Sequence, residues 1–419
     1  MGPLFIGVDV GTSGVRVVCV DQDLETQASV AVRFGTGDNR RQPALWWQAT
    51  VQLLSEIVSK VEIARVQAIA VDGTSGTMLA VDEAGSPLGN ALLYNDVCKD
   101  ENTLSRIDAS APPDSAARGA NSALARAMTL TDKYPQAFCV VHEADWIAFK
   151  LSGVLGVSDE NNSLKTGYDP LARTWPDWIA DTGFSSSLLP RVIAAGDYIG
   201  SISQSAARST GLPLHVNVVA GTTDGCASFL ATGAACSGDA VTALGTTMTI
   251  KLLCDKPVSA PEFGVYSHRI GNRWLAGGAS NTGGKVLAAY FSDEQLSKLS
   301  SQLDSTHLLN LDYYPLTGKG ERFPINNPQL APRLTPRPKN DAHFLQAILE
   351  GIADIEHLAY NTLENLGAPA VTSIRTVGGG ASNAVWNDIR QQTLGAPFLD
   401  SLSSEAAVGT ASLARDYIC

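Results

Sequence analysis

Near its start the chain alternates short apolar runs with turn residues. Leu4-Phe5-Ile6-Gly7-Val8-Asp9 and Gly14-Val15-Arg16-Val17-Val18-Cys19-Val20-Asp21 flank a turn built on Gly11-Thr12-Ser13, the pattern of a β-hairpin. A third β-rich run follows Ser29. Between residues 45 and 61, Leu45, Leu53, Leu54, Ile57, Val58 and Val61 recur at helical spacing, and Val66 to Val71 reads as a further strand. The order predicted is β-β-β-α-β.

The second half repeats the theme. Ala240 to Leu244 runs into Gly245-Thr246-Thr247 and then into the apolar stretch Met248 to Cys254, so Gly11-Thr12-Ser13 and Gly245-Thr246-Thr247 are predicted equivalents. Ala70-Val71-Asp72-Gly73 is matched in the same way with Leu275-Ala276-Gly277-Gly278. Val216 to Ala220 has the pattern of a buried strand and breaks at Gly221-Thr222-Thr223-Asp224-Gly225, which puts a domain boundary near residue 230. Pro324, Pro328, Pro332, Pro336 and Pro338 exclude helix and central strand from that stretch. After it, Phe344, Ile348, Ile352, Ile355, Leu358 and Leu363 mark one face of a long core helix, preceded by Asn340-Asp341 and stopped by Gly367. The reading is α/β, with two similar lobes over 1–230 and 231–419 and the last helix free to pack back on the first.

Composition narrows the partners. A chain of 419 residues, 44% hydrophobic and 17% charged, builds two large cores and is not disordered. Its net charge of −12 disfavours sequence-independent nucleic-acid binding, since no basic patch offsets it. The seven cysteines are scattered without a C-x-x-C pair and read as reduced, buried small residues; His142-Glu143 does not extend to H-E-x-x-H, because Trp146 stands in the last position. The apolar N-terminus lacks a basic leader and carries Asp9, so it reads as a strand rather than a signal peptide, and no other stretch is apolar enough to span a membrane. A cytoplasmic protein acting on small molecules is expected, with monomer and homodimer both open.

An aspartate that ends a buried strand before a Gly-Thr-Ser turn can hold a metal ion while the turn's N–H groups and hydroxyls cradle phosphate. An ordinary hairpin uses the same residues, so Asp9-Val10-Gly11-Thr12-Ser13-Gly14 alone leaves both readings standing. Comparable turns recur at Gly221-Thr222-Thr223-Asp224, Gly245-Thr246-Thr247 and Gly378-Gly379-Gly380-Ala381-Ser382-Asn383, each after an apolar strand, which points to nucleotide binding. The glycines before Lys285 have the wrong spacing for a P-loop, and Gly7, Gly11 and Gly14 do not fit G-x-G-x-x-G.

With these turns the chain resembles the FGGY carbohydrate kinases, of the actin/sugar-kinase/heat-shock-ATPase fold, over nearly its whole length. The D-x-G-T-S-x-x-R pattern is met by Asp9 to Arg16, A-G-x-x-D by Ala220 to Asp224, G-G-G-x-x-N by Gly378 to Asn383, and E-x-x-x-G-x-A by Glu405 to Ala411. Leu151-Ser152-Gly153, Leu189-Pro190 and Gly320-Glu321-Arg322-Phe323-Pro324 agree with it.

The resemblance implies two ribonuclease-H-like lobes with an interlobe cleft, MgATP as co-substrate, and Asp224 as the base that takes the proton of a sugar hydroxyl. Without it, Asp224 reads as a cap for the following helix. Asp9 would hold Mg²⁺ and contact the substrates; Thr12, Ser13 and Thr246 would donate to phosphate; Gly283 would lie beside the phosphates. Gly379, Gly380, Ala381 and Asn383 would contact the nucleotide, and Trp386 would wall the base pocket or sit in the core.

The loop Asp72-Gly73-Thr74-Ser75-Gly76-Thr77 is similar to that of the short cyanobacterial and plant D-ribulose kinases rather than to the glutamine-containing loops of xylulose and glycerol kinases, which makes Ser75 a sugar contact. Two departures stand out. The family's W-x-D-x-R is Tyr94-Asn95-Asp96-Val97-Cys98 here, without its arginine, and its Lys-and-Trp stretch is eroded around Arg126-Ala127-Met128-Thr129. The expected reaction is phosphorylation of D-ribulose by ATP, with D-xylulose or another pentulose or polyol as alternative acceptors. An actin-like nucleotide-dependent sugar sensor without turnover is the alternative of a different class.

Overall fold

The computed structural model describes residues 2–35 and 37–419. The chain divides into two compact units, one of Met1–Ala231, His268–Gly271 and Glu405–Cys419, the other of Thr232–Ser267 and Asn272–Ser404. Residues 405–419, which a linear division at 230 leaves in the second half, are thus part of the first unit.

In the first unit β1 (Leu4–Gly11), β2 (Gly14–Val20), β3 (Thr26–Arg33), α1 (Pro43–Lys60) and β4 (Val66–Gly73) follow the predicted order. They build a six-stranded sheet ordered β3-β2-β1-β4, then Asn217–Val219 and Tyr198–Ser201. β1 is antiparallel to β2 and parallel to β4, which sets Asp9 directly beside Asp72. Alternation along β1 divides its side chains between two layers, as expected for a strand covered on both faces. Ile6, Val8 and Val10 join Trp46, Leu53 and Ile57 of α1 in one core, while Phe5 packs with Ala407 and Ala411 of the helix Ala406–Ile418 in another. Gly7 shares the face of Phe5, and a Cβ there would lie 1.9 Å from the carbonyl oxygen of Ala407. That glycine admits the last helix.

The second unit carries a five-stranded sheet ordered Tyr266–Ile270, Arg273–Ala279, Met248–Cys254, Asp239–Leu244, Ser373–Val377. Asp239–Leu244 is antiparallel to Met248–Cys254 and parallel to Ser373–Val377, the relation β1 has to β2 and β4. The counterpart of β4 is therefore Ser373–Val377. Arg273–Ala279, matched with β4 on its terminal glycines, is an antiparallel neighbour of Met248–Cys254 and occupies the position of β3. A glycine at a strand end does not report strand direction, and the sequence match misled for that reason.

The helix Asp341–Asn365 begins where Asn340 Oδ1 accepts the Ala342 N–H at 2.8 Å. It buries Phe344, Ile348, Ile352, Ile355 and Leu363, but Leu358 is 38% exposed and lies off that face. The proline-rich stretch contains no helix or strand of its own. All seven cysteines are free; five are buried, while Cys236 and Cys419 are exposed, contrary to the expectation that all pack inside. Among the described residues no helix is long and apolar enough to cross a membrane.

Candidate active site

In the first unit the predicted carboxylates lie within one another's field. Asp72 is fully buried; it accepts the Thr410 hydroxyl, while its Oδ1 meets no N–H or hydroxyl donor. Its remaining partner is the carboxyl of Asp9, and two carboxyls share a hydrogen bond only when one is protonated. Burial pushes Asp72 well above the usual carboxylate range, and the charges of Asp9 and Asp224 add to it. Asp9 is itself raised, mainly by burial and further by Asp224, against the hydrogen bond from Asp72 and the charge of Arg16. Glu143 is fully buried and also pushed well up, first by desolvation and then by Asp224 and Asp9. One of its oxygens accepts the Thr74 N–H at 3.3 Å. Sequence reading passed over Asp72 and Glu143, and their burial could not be read locally.

Asp224 opens the helix Asp224–Ala231 and is half-buried, with Oδ1 accepting its neighbour's N–H, that of Gly225, at 2.7 Å. The capping role falls to Thr223, whose Oγ1 accepts the Cys226 N–H at 3.4 Å and whose carbonyl takes that of Ala227 at 2.9 Å. Thr223 and Asp224 thus each accept a first-turn N–H of this helix. A carboxylate in the first turn is also stabilised by the helix dipole. Thr12 is half-buried and Ser13 exposed on the β1–β2 turn.

Ser75 Oγ is a buried hydroxyl with no hydrogen-bond partner. Its loop is held from behind by Arg126, 1% exposed, which donates to the carbonyls of Gly76 at 2.7 Å, Tyr94 at 3.0 Å, Asn121 at 3.1 Å and Asp96 at 3.2 Å. Arg41 pairs with the Asp96 carboxylate through both terminal nitrogens, Nη2 at 2.8 Å from Oδ1. Two guanidinia distant in sequence thus meet Asp96, that of Arg41 at its carboxylate and that of Arg126 at its carbonyl.

The second unit holds a cavity of about 970 Å³, at the upper end of the size of small-molecule sites. Gly245, Thr246, Gly379, Gly380, Asn383 and Trp386 are on its wall. Asn383 Oδ1 caps the helix Ala384–Leu394 by accepting the Trp386 N–H at 3.1 Å. Trp386 lines the cavity and is 2% exposed in the core, with Nε1 donating to Leu349 O at 3.1 Å. Gly283 and Ala381 are not on the wall. Gly283, at φ +132°, lets the chain lie against Thr247, whose backbone would be 2.8 Å from a Cβ. Ala381 is fixed by the Asn387 amide, which donates to its carbonyl at 2.8 Å.

Glu321 explains its own motif. Buried at 2% exposure, it accepts the Ser280 hydroxyl at 2.6 Å, the Asn281 N–H at 2.7 Å and the Tyr314 hydroxyl at 3.1 Å. It thereby clamps the turn leading to Gly283.

Residues 4–109 with 129–231 match the N-terminal domain of the FGGY family of carbohydrate kinases, and 240–415 match its C-terminal domain. The chain belongs to the FGGY family of carbohydrate kinases. It is a phosphotransferase by that membership. Among curated FGGY relatives, the xylulose kinase of Bacillus subtilis (strain 168) is 23% identical over 91% of this chain and 81% of its own length. That of Streptomyces coelicolor is 30% identical over 59% and 54%. Of solved structures, the ligand-bound xylulose kinase from Lactobacillus acidophilus superposes with a TM-score of 0.85 at 19% identity, covering 99% of this chain and 89% of that one. The xylulose kinase from Rhodospirillum rubrum gives 0.84 at 22% identity, over 98% and 89%. At such identities these likenesses show the fold, the two-lobed actin-like one.

Proposed function

We propose that this FGGY kinase transfers the γ-phosphate of ATP to a terminal hydroxyl of a ketopentose, with D-ribulose as the favoured acceptor. Asp224 is the base, and the observation that carries the assignment is its place: a half-buried carboxylate at a helix start, within the field of Asp9, Asp72 and Glu143. A carboxylate so placed can orient a hydroxyl and accept its proton late in a loose phosphoryl-transfer transition state.

Asp9, set beside Asp72 by the register of β1 and β4, is the residue to contact Mg²⁺. Among the described residues no three acidic, His or Cys side chains form a metal cage. A magnesium ion held through one or two carboxylates, water and nucleotide phosphates needs no such cage, so the residues present fit it. The ion would neutralise phosphate charge. Thr12 and Ser13 in the first unit and Thr246 in the second donate to phosphate oxygens, and the second unit's cavity receives the nucleoside, with Gly379, Gly380 and Asn383 against it and Gly283 and Ala381 shaping the turns behind.

For the sugar, Ser75 supplies a partnerless buried hydroxyl on the loop that resembles D-ribulose kinases. D-Xylulose is the second reading, favoured by the names of the relatives. ADP release measured across ketopentoses, aldopentoses, polyols and glycerol separates them, and preference for any acceptor but D-ribulose overturns that choice. Asp224→Ala is expected to lower kcat by about 10²–10⁴ with ATP binding retained. ATP binding without sugar-stimulated ADP release, unchanged by Asp224→Ala, would instead establish a sensor.

A further inference from the structure

The wall of the nucleotide cavity contains one feature the proposed chemistry leaves unused. Lys285 lines it and is half-buried, and among the described residues no carboxylate lies within ion-pair distance of its ammonium group. Among the described residues the other charged side chain on that wall is Asp293. The remaining polar groups there are hydroxyls, amides and backbone, in a chain whose net charge is −12.

Its backbone is tied to the Thr246 turn. The Lys285 N–H donates to Thr246 O at 3.0 Å, and the preceding Gly284 N–H donates to Gly245 O at 2.8 Å. The root of the lysine is thus fixed beside the turn assigned to phosphate, while Trp386, Gly379 and Gly380 supply apolar and backbone surface suited to a base. A partly desolvated ammonium without a counter-charge is costly, and an anionic ligand relieves that cost. A flexible point charge is also the form in which lysine serves phosphate.

We propose that Lys285 is a phosphate-binding residue of this cavity, pairing its ammonium with the phosphate chain of the bound nucleotide. The proposal rests on the nucleotide reading given above and adds to it a charge contact outside the four glycine turns. A lysine that only solvates the helix Gly284–Ala288 would leave nucleotide affinity alone.

The experiment is calorimetric titration of the full chain and of Lys285→Met and Lys285→Arg with ADP and with adenosine, alongside KM for ATP and for the sugar. Lys285→Met is expected to weaken ADP about tenfold, the scale of a charged hydrogen bond discounted for partial exposure. Adenosine affinity and the sugar KM stay unchanged, Lys285→Arg recovers most of the loss, and added salt narrows the gap. Unchanged ADP affinity in Lys285→Met overturns the proposal, and so does equal weakening of ADP and adenosine, which would mark a structural role. If the wild-type chain binds neither ligand, the nucleotide reading itself fails.

Discussion

Behind the loop Gly378 to Asn383 lies a buried ion pair whose removal should be severe one residue at a time and mild in combination. Arg390 and Glu356 are both 0% exposed, with Nε 2.6 Å from Oε2 and Nη2 2.7 Å from Oε1. Glu356 Oε1 also accepts the Thr242 hydroxyl at 2.5 Å, and that hydroxyl lies 2.8 Å from the Tyr360 hydroxyl. Arg390 Nη1 donates to Thr376 Oγ1 at 2.9 Å and to Asn387 Oδ1 at 3.0 Å. Arg390→Met leaves Glu356 as a buried charge with little more than one hydroxyl, a change that costs about 3–5 kcal/mol. At roughly 2–4 °C per kcal/mol for a domain of this size, Tm should fall by about 6–20 °C. Glu356→Met strands the guanidinium and should cost a similar amount. The double variant has no charge left to desolvate, although Thr242, Thr376 and Asn387 lose partners at roughly 1 kcal/mol each. The cycle should therefore show about 3–7 kcal/mol of coupling, with the double variant nearer wild type than either single one. Differential scanning calorimetry of the four proteins measures this. A double variant as unstable as the two losses summed would refute the reasoning. Because Asn387 also holds the Ala381 carbonyl, Arg390→Met should raise KM for ATP more than KM for the sugar.

Gly409→Ala tests the closeness of two helices, since its Cβ would lie 1.9 Å from Ala227 O and 2.6 Å from Ala231 N. Alanine gains about 1 kcal/mol of helix propensity, so a net loss of about 1–3 kcal/mol in urea unfolding would show that overpacking wins, whereas a gain would refute the close approach. Burial pushes the Asp159 carboxyl up to about 6, against hydrogen bonds from Asn161 and Asn162. The native state then holds the proton more tightly than the unfolded one, so stability falls as pH rises from about 4 to about 6 and levels off above, by roughly 3 kcal/mol. Asp159→Asn should lose that part of the pH slope in denaturant titrations; identical slopes would overturn the assignment.

Much of the fold was legible because its signals are local. The first hairpin, α1, β4 and the Asn340 cap each follow from spacing or turn chemistry within a few residues. What failed needed direction or distance. The terminal glycines of Arg273–Ala279 look like those of β4, yet only pairing shows an antiparallel strand. Leu358 fits a helical period and still turns outward, because the buried arc of Asp341–Asn365 is set by what packs on it. At the site, Asp224 and the Gly245 and Gly378 turns could be named from motif residues. Arg126 could not, for its role depends on carbonyls from Gly76 to Asn121 gathered around one guanidinium.

The motif residues that carry the family likeness divide by what they touch. Gly7 and Gly409 admit the last helix between β1 and the helix that Asp224 opens, each with a carbonyl 1.9 Å from where a Cβ would be, and Gly221 meets the Val71 carbonyl at 1.7 Å in the same sense. Thr410 of that last helix then reaches Asp72, and Asp72 reaches Asp9. The closing E-x-x-x-G-x-A motif therefore acts on the Asp9 and Asp72 end of the first unit by packing, through a backbone that only glycine permits and one hydroxyl beside it. Glu321 and Gly283 do the same for the Thr246 turn. Family motifs of this kind report the scaffold of phosphoryl transfer and are silent on the acceptor. On the sugar reading proposed above, acceptor choice would rest on the segment they leave free, Thr74 to Thr77 backed by Arg126, where the Ser75 hydroxyl, without a partner among the described residues, is the group a change of acceptor would have to satisfy or strand.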